Sequence, residues 1–418
     1  MRRTTDAIII GAGQAGLAMS HCLARYGVEH VVLERGRTAE RWRSERWDSL
    51  RLLTPNWMSR LPGDWSYRGP DPDGFMTMPE VVAHLDGYAR AFTAPVETGT
   101  TVRAVRPVAG GYAVETSRGV WRARAVVVAT GHCDVPAVPG MAAALPGTIR
   151  QLTPSAYRNP GQLPAGGVLV VGASASGVQL AEEIHRAGHP VTLAVGRHTR
   201  LPRRWRGQDI MAWMDRIGVL DETAEQVRDL AQARAQPSLQ LVGRPDGQNL
   251  DLGVLHAMGV RLVGRAAELD GTTLQLAQDL PQTTAAAQRV LDRLLARIGP
   301  AADALGAPPE DPPPAPVLPL ATPARLDLAA AGIRTVLWAT GYRRDYGWLQ
   351  VPEAIDPQGE ILHRGGITPA PGLYVLGLRF LRHRRSSFLD GVGADAEVLA
   401  WHLLGQLLAP SLPRRAAA

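Results

Sequence analysis

The chain has 418 residues, 45% of them apolar and 20% charged, with a mean hydropathy of −0.08. That length suits two or three domains of roughly 150 residues, each with a real core, and the composition excludes a disordered chain or a small stapled scaffold. No apolar run approaches the roughly 18–20 residues needed to span a bilayer, so no membrane association is expected.

All 45 basic residues are Arg, which excludes Schiff-base lysine chemistry and a P-loop. The net charge is +6 and the pI 9.8, but the arginines lie among acids over most of the chain. The two basic clusters, Arg197 to Arg206 and Arg379 to Arg385 (RFLRHRR), come with no stacking or groove-reading motif, so no nucleic-acid partner is expected. Cys22 and Cys133 are the only cysteines, which excludes a disulfide framework, a CxxC redox pair and a cysteine-built zinc site. The histidines show no HxH or HExxH spacing, so no metal is expected. A reducing cytoplasm is the simplest compartment. Arg2 and Arg3 before AIIIGAGQAGLAM imitate a twin-arginine export signal, but Asp6 interrupts the apolar run and the stretch reads as the start of a fold.

In chain order, Asp6 to Ile10 is a β-branched strand that runs into Gly11-Ala12-Gly13-Gln14-Ala15-Gly16 and a helix to about Tyr26. A second strand follows, Val31 to Glu34. In such a βαβ unit the first glycine permits a tight turn, the second lets the backbone approach a pyrophosphate, and the third lets helix pack on strand. Glu34, 23 residues after Gly11, supplies the carboxylate for ribose hydroxyls. Residues 41–62 read as an irregular Trp- and Arg-rich loop. A helix follows from Met78 to about Phe92, then a meander of short strands from Val96 to Val128 ending in Thr130-Gly131.

The pattern then repeats. Val168 to Val171 leads into Gly172-Ala173-Ser174-Ala175-Ser176-Gly177, a helix to about Ala187 and a strand from Val191 to Val195. Where the first unit has Glu34, the second has Arg197, with Arg200 nearby; a guanidinium there binds a 2′-phosphate that a carboxylate would repel, which points to NADPH. The alternative for Arg197 is a solvated charge at a strand end. Residues 207–300 read mainly as helices and short strands, and Pro308 to Pro323 as a proline-rich surface crossing. A strand at Thr335 to Trp338 ends in Thr340-Gly341, echoing Thr130-Gly131. Leu373 to Leu376 is another strand, Gly391 to Leu408 a closing helix, and the tail from Pro410 to Ala418 a frayed end. The expected fold is α/β: two Rossmann-like domains, with an FAD domain at 1–160 and 334–418 and an NADPH domain at 161–333 inserted within it.

With GAGQAG and Glu34, Trp42-Arg43, ATGHCDVPAVPG, GASASG and WATGY, the chain resembles the class B flavin-dependent monooxygenases over nearly its whole length. Through ERWDSLRLLTPNWMSRLPG, TIRQLTPSAYRNP, VGRHTRLPRRWRG and SSFLDGVGADA it is most similar to bacterial FAD-dependent oxidoreductases encoded beside nitrilase-type hydrolases. The resemblance implies FAD and NADPH as cofactors, and O2 and a small N- or S-nucleophile as substrates, with oxygen carried by a C4a-hydroperoxyflavin. It places Arg35 and Trp42 beside the flavin nucleotide, Gln151 (where the family has His) and Tyr157 near the nicotinamide, and Asn56 near the ring face. Asp390 and Val392 then mark a helix N-terminus facing the flavin. Gln151 and Asn56 can instead satisfy loop backbone, and Tyr157 can pack at a hinge. His132 is a further flavin-adjacent candidate, and the tryptophans either line a channel or pack the core. Gln151 in place of His keeps open a second reading, an NADPH-dependent flavin reductase or oxidase that does not oxygenate a substrate.

Overall fold

The computed structural model describes residues 2–409, so the tail from Pro410 lies outside the described residues. The chain opens with β1 (Arg2–Ile10), α1 (Gln14–Arg25) and β2 (His30–Leu33). Helix α2 (Met78–Ala91) begins where Thr77 and Glu80 form a capping box with Pro79 in the first turn. Strands β3 (Val96–Glu97), β4 (Val102–Val108), β5 (Gly111–Thr116) and β6 (Gly119–Val128) follow. Next come β7 (Arg150–Leu152), β8 (Gly167–Val171), α3 (Ala175–Arg186), β9 (Val191–Ala194), α4 (Ile210–Arg216) and α5 (Leu230–Arg234). The chain ends through β10 (Arg261–Val263), α6 (Leu280–Ala304), β11 (Ile333–Trp338), β12 (Leu373–Val375) and α7 (Val392–Leu408).

These strands build two sheets. The first runs β3-β2-β1-β6-β5-β4, with β12 also on β6. It is parallel around β1 and antiparallel through the β4–β6 meander. The second runs β7-β11-β8-β9-β10 and is parallel throughout. The chain leaves the first sheet after β6, builds the second, and returns for β12 and α7, so one Rossmann-like unit is inserted in the other. The sequence boundaries need correction: β7 and all of β11 pair within the second sheet, whereas the sequence pattern puts 150–152 and 334–338 in the first unit. The reason is register. Leu152 pairs with Leu337, a long-range pairing that no local pattern reveals.

The second sheet is covered on both faces, as a parallel sheet must be. Val168 and Val170 pack with Val178 and Ile184 of α3 on one side, while Leu169 and Val171 pack with Leu274 and Trp338 on the other. In the first unit α7 lies on α1, with Leu399 and Leu403 in the same core as Leu17 and Cys22. Met58 of the first unit is buried among Trp205, Trp213 and Leu295 of the second, which closes the seam between the units. Between Pro308 and Pro323 the chain crosses the surface, with Val317 and Leu320 exposed.

Candidate active site

At the end of β1 the backbone turns into α1 through Gly11. Its φ is +106°, and a Cβ there would lie 2.7 Å from the Ala129 carbonyl oxygen. A Cβ at Gly16 would lie 1.8 Å from the Gly11 oxygen, so α1 rests directly on the turn, while at Gly13 a Cβ would meet nothing within 4 Å. This open side and the positive end of α1 form a cradle for a pyrophosphate. At the end of β2, Glu34 is buried, accepting the Ala12 amide at Oε2 and the Gly36 amide at Oε1, both at 2.8 Å. The carboxylate is thereby fixed with lone pairs left for two ribose hydroxyls. Trp42 donates from Nε1 to Gln14 Oε1 at 3.2 Å, and Arg35 pairs with Glu45.

The second unit repeats this geometry. Gly172 has the same φ of +106°, a Cβ on it would lie 2.4 Å from the Ala339 oxygen, and one on Gly177 would lie 1.9 Å from the Gly172 oxygen. In each unit a Thr-Gly pair follows the strand that packs on the turn: Thr130-Gly131 after β6, and Thr340-Gly341 after β11, where Thr340 Oγ1 donates to the Ala137 carbonyl at 2.7 Å. Past β9, Arg197 is exposed and unpaired among the described residues. Arg200 is buried, with Nε donating to Asp251 at 2.7 Å and Nη1 to Gln288 at 2.5 Å. Of these two arginines, only Arg197 is free to take a 2′-phosphate.

Both cradles open on one cavity of about 1300 Å³, larger than the roughly 300–1,000 Å³ of an ordinary small-ligand pocket. Gly11, Gly13, Gln14, Glu34, Arg35, Trp42, Thr130 and Gly131 line it from the first unit; Gly172, Ser174, Ser176, Arg197, Thr340 and Gly341 line it from the rest. Gly16 and Gly177 lie beneath the turns and act through packing. Of the tryptophans, Trp42, Trp47 and Trp348 reach the cavity, whereas Trp205 and Trp213 are core.

The candidate catalytic residues are not among the lining. Gln151 accepts the Trp338 indole N–H at 2.9 Å and donates to the Ala142 carbonyl at 3.0 Å, so both ends of its amide are used. Tyr157 is fully buried and donates to Glu183 of α3 at 2.9 Å; burial and the Glu183 carboxylate push its phenol well above the usual range. Asn56 is buried and donates to the Asp71 carbonyl at 2.9 Å, fastening a loop. Asp390 faces a separate cavity, where its buried carboxylate takes Arg385 Nη1 at 2.8 Å, and Val392 lines neither space. Burial raises Asp390 to about 6 despite Arg385 and Arg60. Gln151, Tyr157 and Asn56 are each held by a partner elsewhere in the fold or by loop backbone, and Asp390 by Arg385 five residues before it, while Asn56 Oδ1 and Asp390 Oδ1 have no hydrogen-bond partner among the described residues.

Other groups occupy the cavity wall instead. Leu53, Thr54, His132 and Cys133 line it. Arg41 pins the 132–134 turn, donating to the Cys133 carbonyl at 2.6 Å and pairing with Asp134. Burial raises the Cys133 thiol, but His132, Arg46 and Arg41 outweigh it and hold it down at about 7. Arg234, Arg344, Arg379 and Arg384 also enter the cavity. The RFLRHRR run is the one sequence signal for two of them.

Comparison with known proteins agrees with this geometry. Residues 8–215 match the pyridine nucleotide-disulphide oxidoreductase family model. The chain is 31% identical over 401 residues to an oxidoreductase of Geobacillus kaustophilus designated CzcO-like, covering 96% of this chain and 98% of that one. It is 34% identical over 196 residues to the indole-3-pyruvate monooxygenase YUCCA1 of Oryza sativa subsp. japonica, 45% of this chain and 47% of that protein. A solved flavin-containing monooxygenase from Stenotrophomonas maltophilia has the same fold, with a TM-score of 0.66 at 20% identity, over 97% of this chain and 99% of that one. With two dinucleotide cradles facing one cavity, the chain belongs to the flavin-containing-monooxygenase-like class B family of FAD- and NADPH-dependent oxidoreductases.

Proposed function

We propose that the protein is a monooxygenase that passes one oxygen atom of O2 to a nitrogen or sulfur of a small molecule, with NADPH as electron donor. The observation that carries the reading is that both dinucleotide cradles open on a single cavity, so hydride transfer needs no relay through the protein. The bound cofactors supply hydride transfer and O2 activation; the chain supplies binding, orientation and a wall against water. Gly11, Gly13 and the N-terminus of α1 would hold the FAD pyrophosphate, with Glu34 on its ribose. Gly172, Ser174 and the N-terminus of α3 would hold the NADPH pyrophosphate, with Arg197 on the 2′-phosphate.

A soft nucleophile suits this wall because it needs no deprotonation before it takes oxygen. Carboxylates that line the cavity are already engaged: Glu34 by two amides, Glu40 by Arg37, Asp134 by Arg41 and Asp345 by the Gly347 amide. No dithiol relay competes, since Cys22 is buried in the core and only Cys133 reaches the cavity. Stopped-flow absorbance of the NADPH-reduced protein mixed with oxygenated buffer tests the reading. A transient, distinct from both reduced and oxidised flavin and consumed faster in the presence of a thioether or amine, is the expected result. Direct return to oxidised flavin with stoichiometric peroxide, with and without such an acceptor, would replace it with the reductase or oxidase reading.

A further inference from the structure

The basic run from Arg379 to Arg385 is used by neither dinucleotide cradle. Arg379 and Arg384 enter the cavity from the loop between β12 and α7, Arg234 from the end of α5, and Arg344 from the segment after β11. The segments are in contact, since Arg234 Nη2 donates to the Phe380 carbonyl at 3.1 Å and Arg384 Nη1 donates to Gln236 at 3.3 Å.

Their charge is incompletely matched. Arg344 pairs with Glu360, and Arg384 pairs with Glu222 at 2.7 Å, a carboxylate shared with Arg297. Arg234 and Arg379 have no carboxylate partner among the described residues. Burial, then Arg344, weakens the hold of Arg234 on its proton; burial does the same at Arg379, helped by Arg344 and Arg384 and opposed by Cys133. His363, beside Arg234 and Arg344, is driven down to about 4 by burial and by those two cations, so it is neutral at pH 7 and adds no charge. Half-buried like charges held together are unfavourable unless an anion joins them. The planar fork of guanidinium matches a carboxylate. The phosphates of both dinucleotides have places elsewhere, at the helix N-termini of α1 and α3 and at Arg197. Around the arginines, Phe380, which lies 5.0 Å from the Arg384 guanidinium carbon, Phe388 and Trp348 supply an apolar wall.

Resting on the oxygenase reading, we propose that Arg234 and Arg379, flanked by Arg344 and Arg384, anchor a carboxylate on the oxygen-accepting molecule. The substrate class is then a small acid with an apolar or aromatic body and a soft nitrogen or sulfur, and the same charges reject a protonated amine that lacks a carboxylate.

The test is calorimetric titration of the FAD-loaded protein, saturated with NADP+, using phenylacetate, phenylacetamide and phenethylammonium as probes. Phenylacetate is expected to bind at least about tenfold tighter than the amide, more weakly as salt rises, and phenethylammonium not to bind. Arg379→Gln should weaken phenylacetate about tenfold and Arg379→Lys should restore part of it, with the NADP+ Kd unchanged in both. Arg234→Gln gives the same reading if Arg379→Gln does not fold. Equal binding of acid and amide, or no binding of the acid, overturns the anchor; so does a Gln variant that loses NADP+ while keeping phenylacetate, which assigns the arginines to the cofactor. Binding is read without turnover, so a protein that binds phenylacetate but yields no transient with O2 contradicts the oxygenase reading and leaves the carboxylate site standing.

Discussion

The two Rossmann-like units solve the same packing problem with nearly identical backbones and then diverge at one side chain. Gly11 and Gly172 share a φ of +106°, and each turn is pressed against the carbonyl of an Ala that precedes a Thr-Gly pair. At the end of the next strand, Glu34 is buried and held by two amides, whereas Arg197 stands exposed and unpaired among the described residues. A fixed acceptor suits a nucleotide that stays bound; an unpaired cation suits one that arrives with an extra phosphate and leaves after each turnover. On the proposed reading, the glycines allow a dinucleotide to bind and the strand-end residue selects which one.

The two units can be disrupted one at a time. Gly16→Val places atoms where only 1.8 Å is available to Gly11, and should yield protein without flavin, visible as a colourless preparation; Gly177→Val should stay yellow but fail to be reduced by NADPH. Glu34→Ala leaves the Ala12 and Gly36 amides without their acceptor and removes the ribose contact, so flavin should be lost on purification, an affinity change of about 3 kcal/mol or more. The seam between the units should respond to pH. Asp390 is raised from its unfolded value to about 6 by burial, so its contribution is fully present below about pH 4 and is lost as pH rises through about 6. Thermal unfolding across that window should show a loss of about 2–3 kcal/mol from this group, and Asp390→Asn should flatten it. Arg197→Ala should weaken NADPH by about 1.5–3 kcal/mol and leave NADH nearly unchanged; equal losses would mean that Arg197 does not read the phosphate. Gln151→His, at a side chain outside the cavity lining, should leave the oxygen-reaction kinetics unchanged and cost about 1 kcal/mol in unfolding experiments through its lost bonds to Trp338 and Ala142.

What the sequence reveals is local. Glycine spacing, β-branched runs and strand-end charge depend on residues within one βαβ unit, and these alone mark both cradles and the contrast of Glu34 with Arg197. What it conceals depends on distant partners. Gln151 meets Trp338 and Tyr157 meets Glu183, so polar side chains expected near the nicotinamide are spent on joining segments, and Arg385, which holds Asp390, also reaches across to Asp221. The same holds for β7, whose place in the second sheet rests on pairing with β11. The arginine lobe draws Arg234, Arg344 and Arg379 from three separate segments, and only the last stands in a conspicuous run.

On the proposed reading, the two cradles present their nucleotides to each other across one cavity. Anaerobic stopped-flow reduction of the bound flavin by NADPH tests it most directly, in the native chain and in Arg197→Ala. Complete bleaching is expected at a rate that saturates with NADPH, with the half-saturating concentration raised in the variant and the limiting rate little changed. Flavin that stays oxidised in the native chain at saturating NADPH would contradict it.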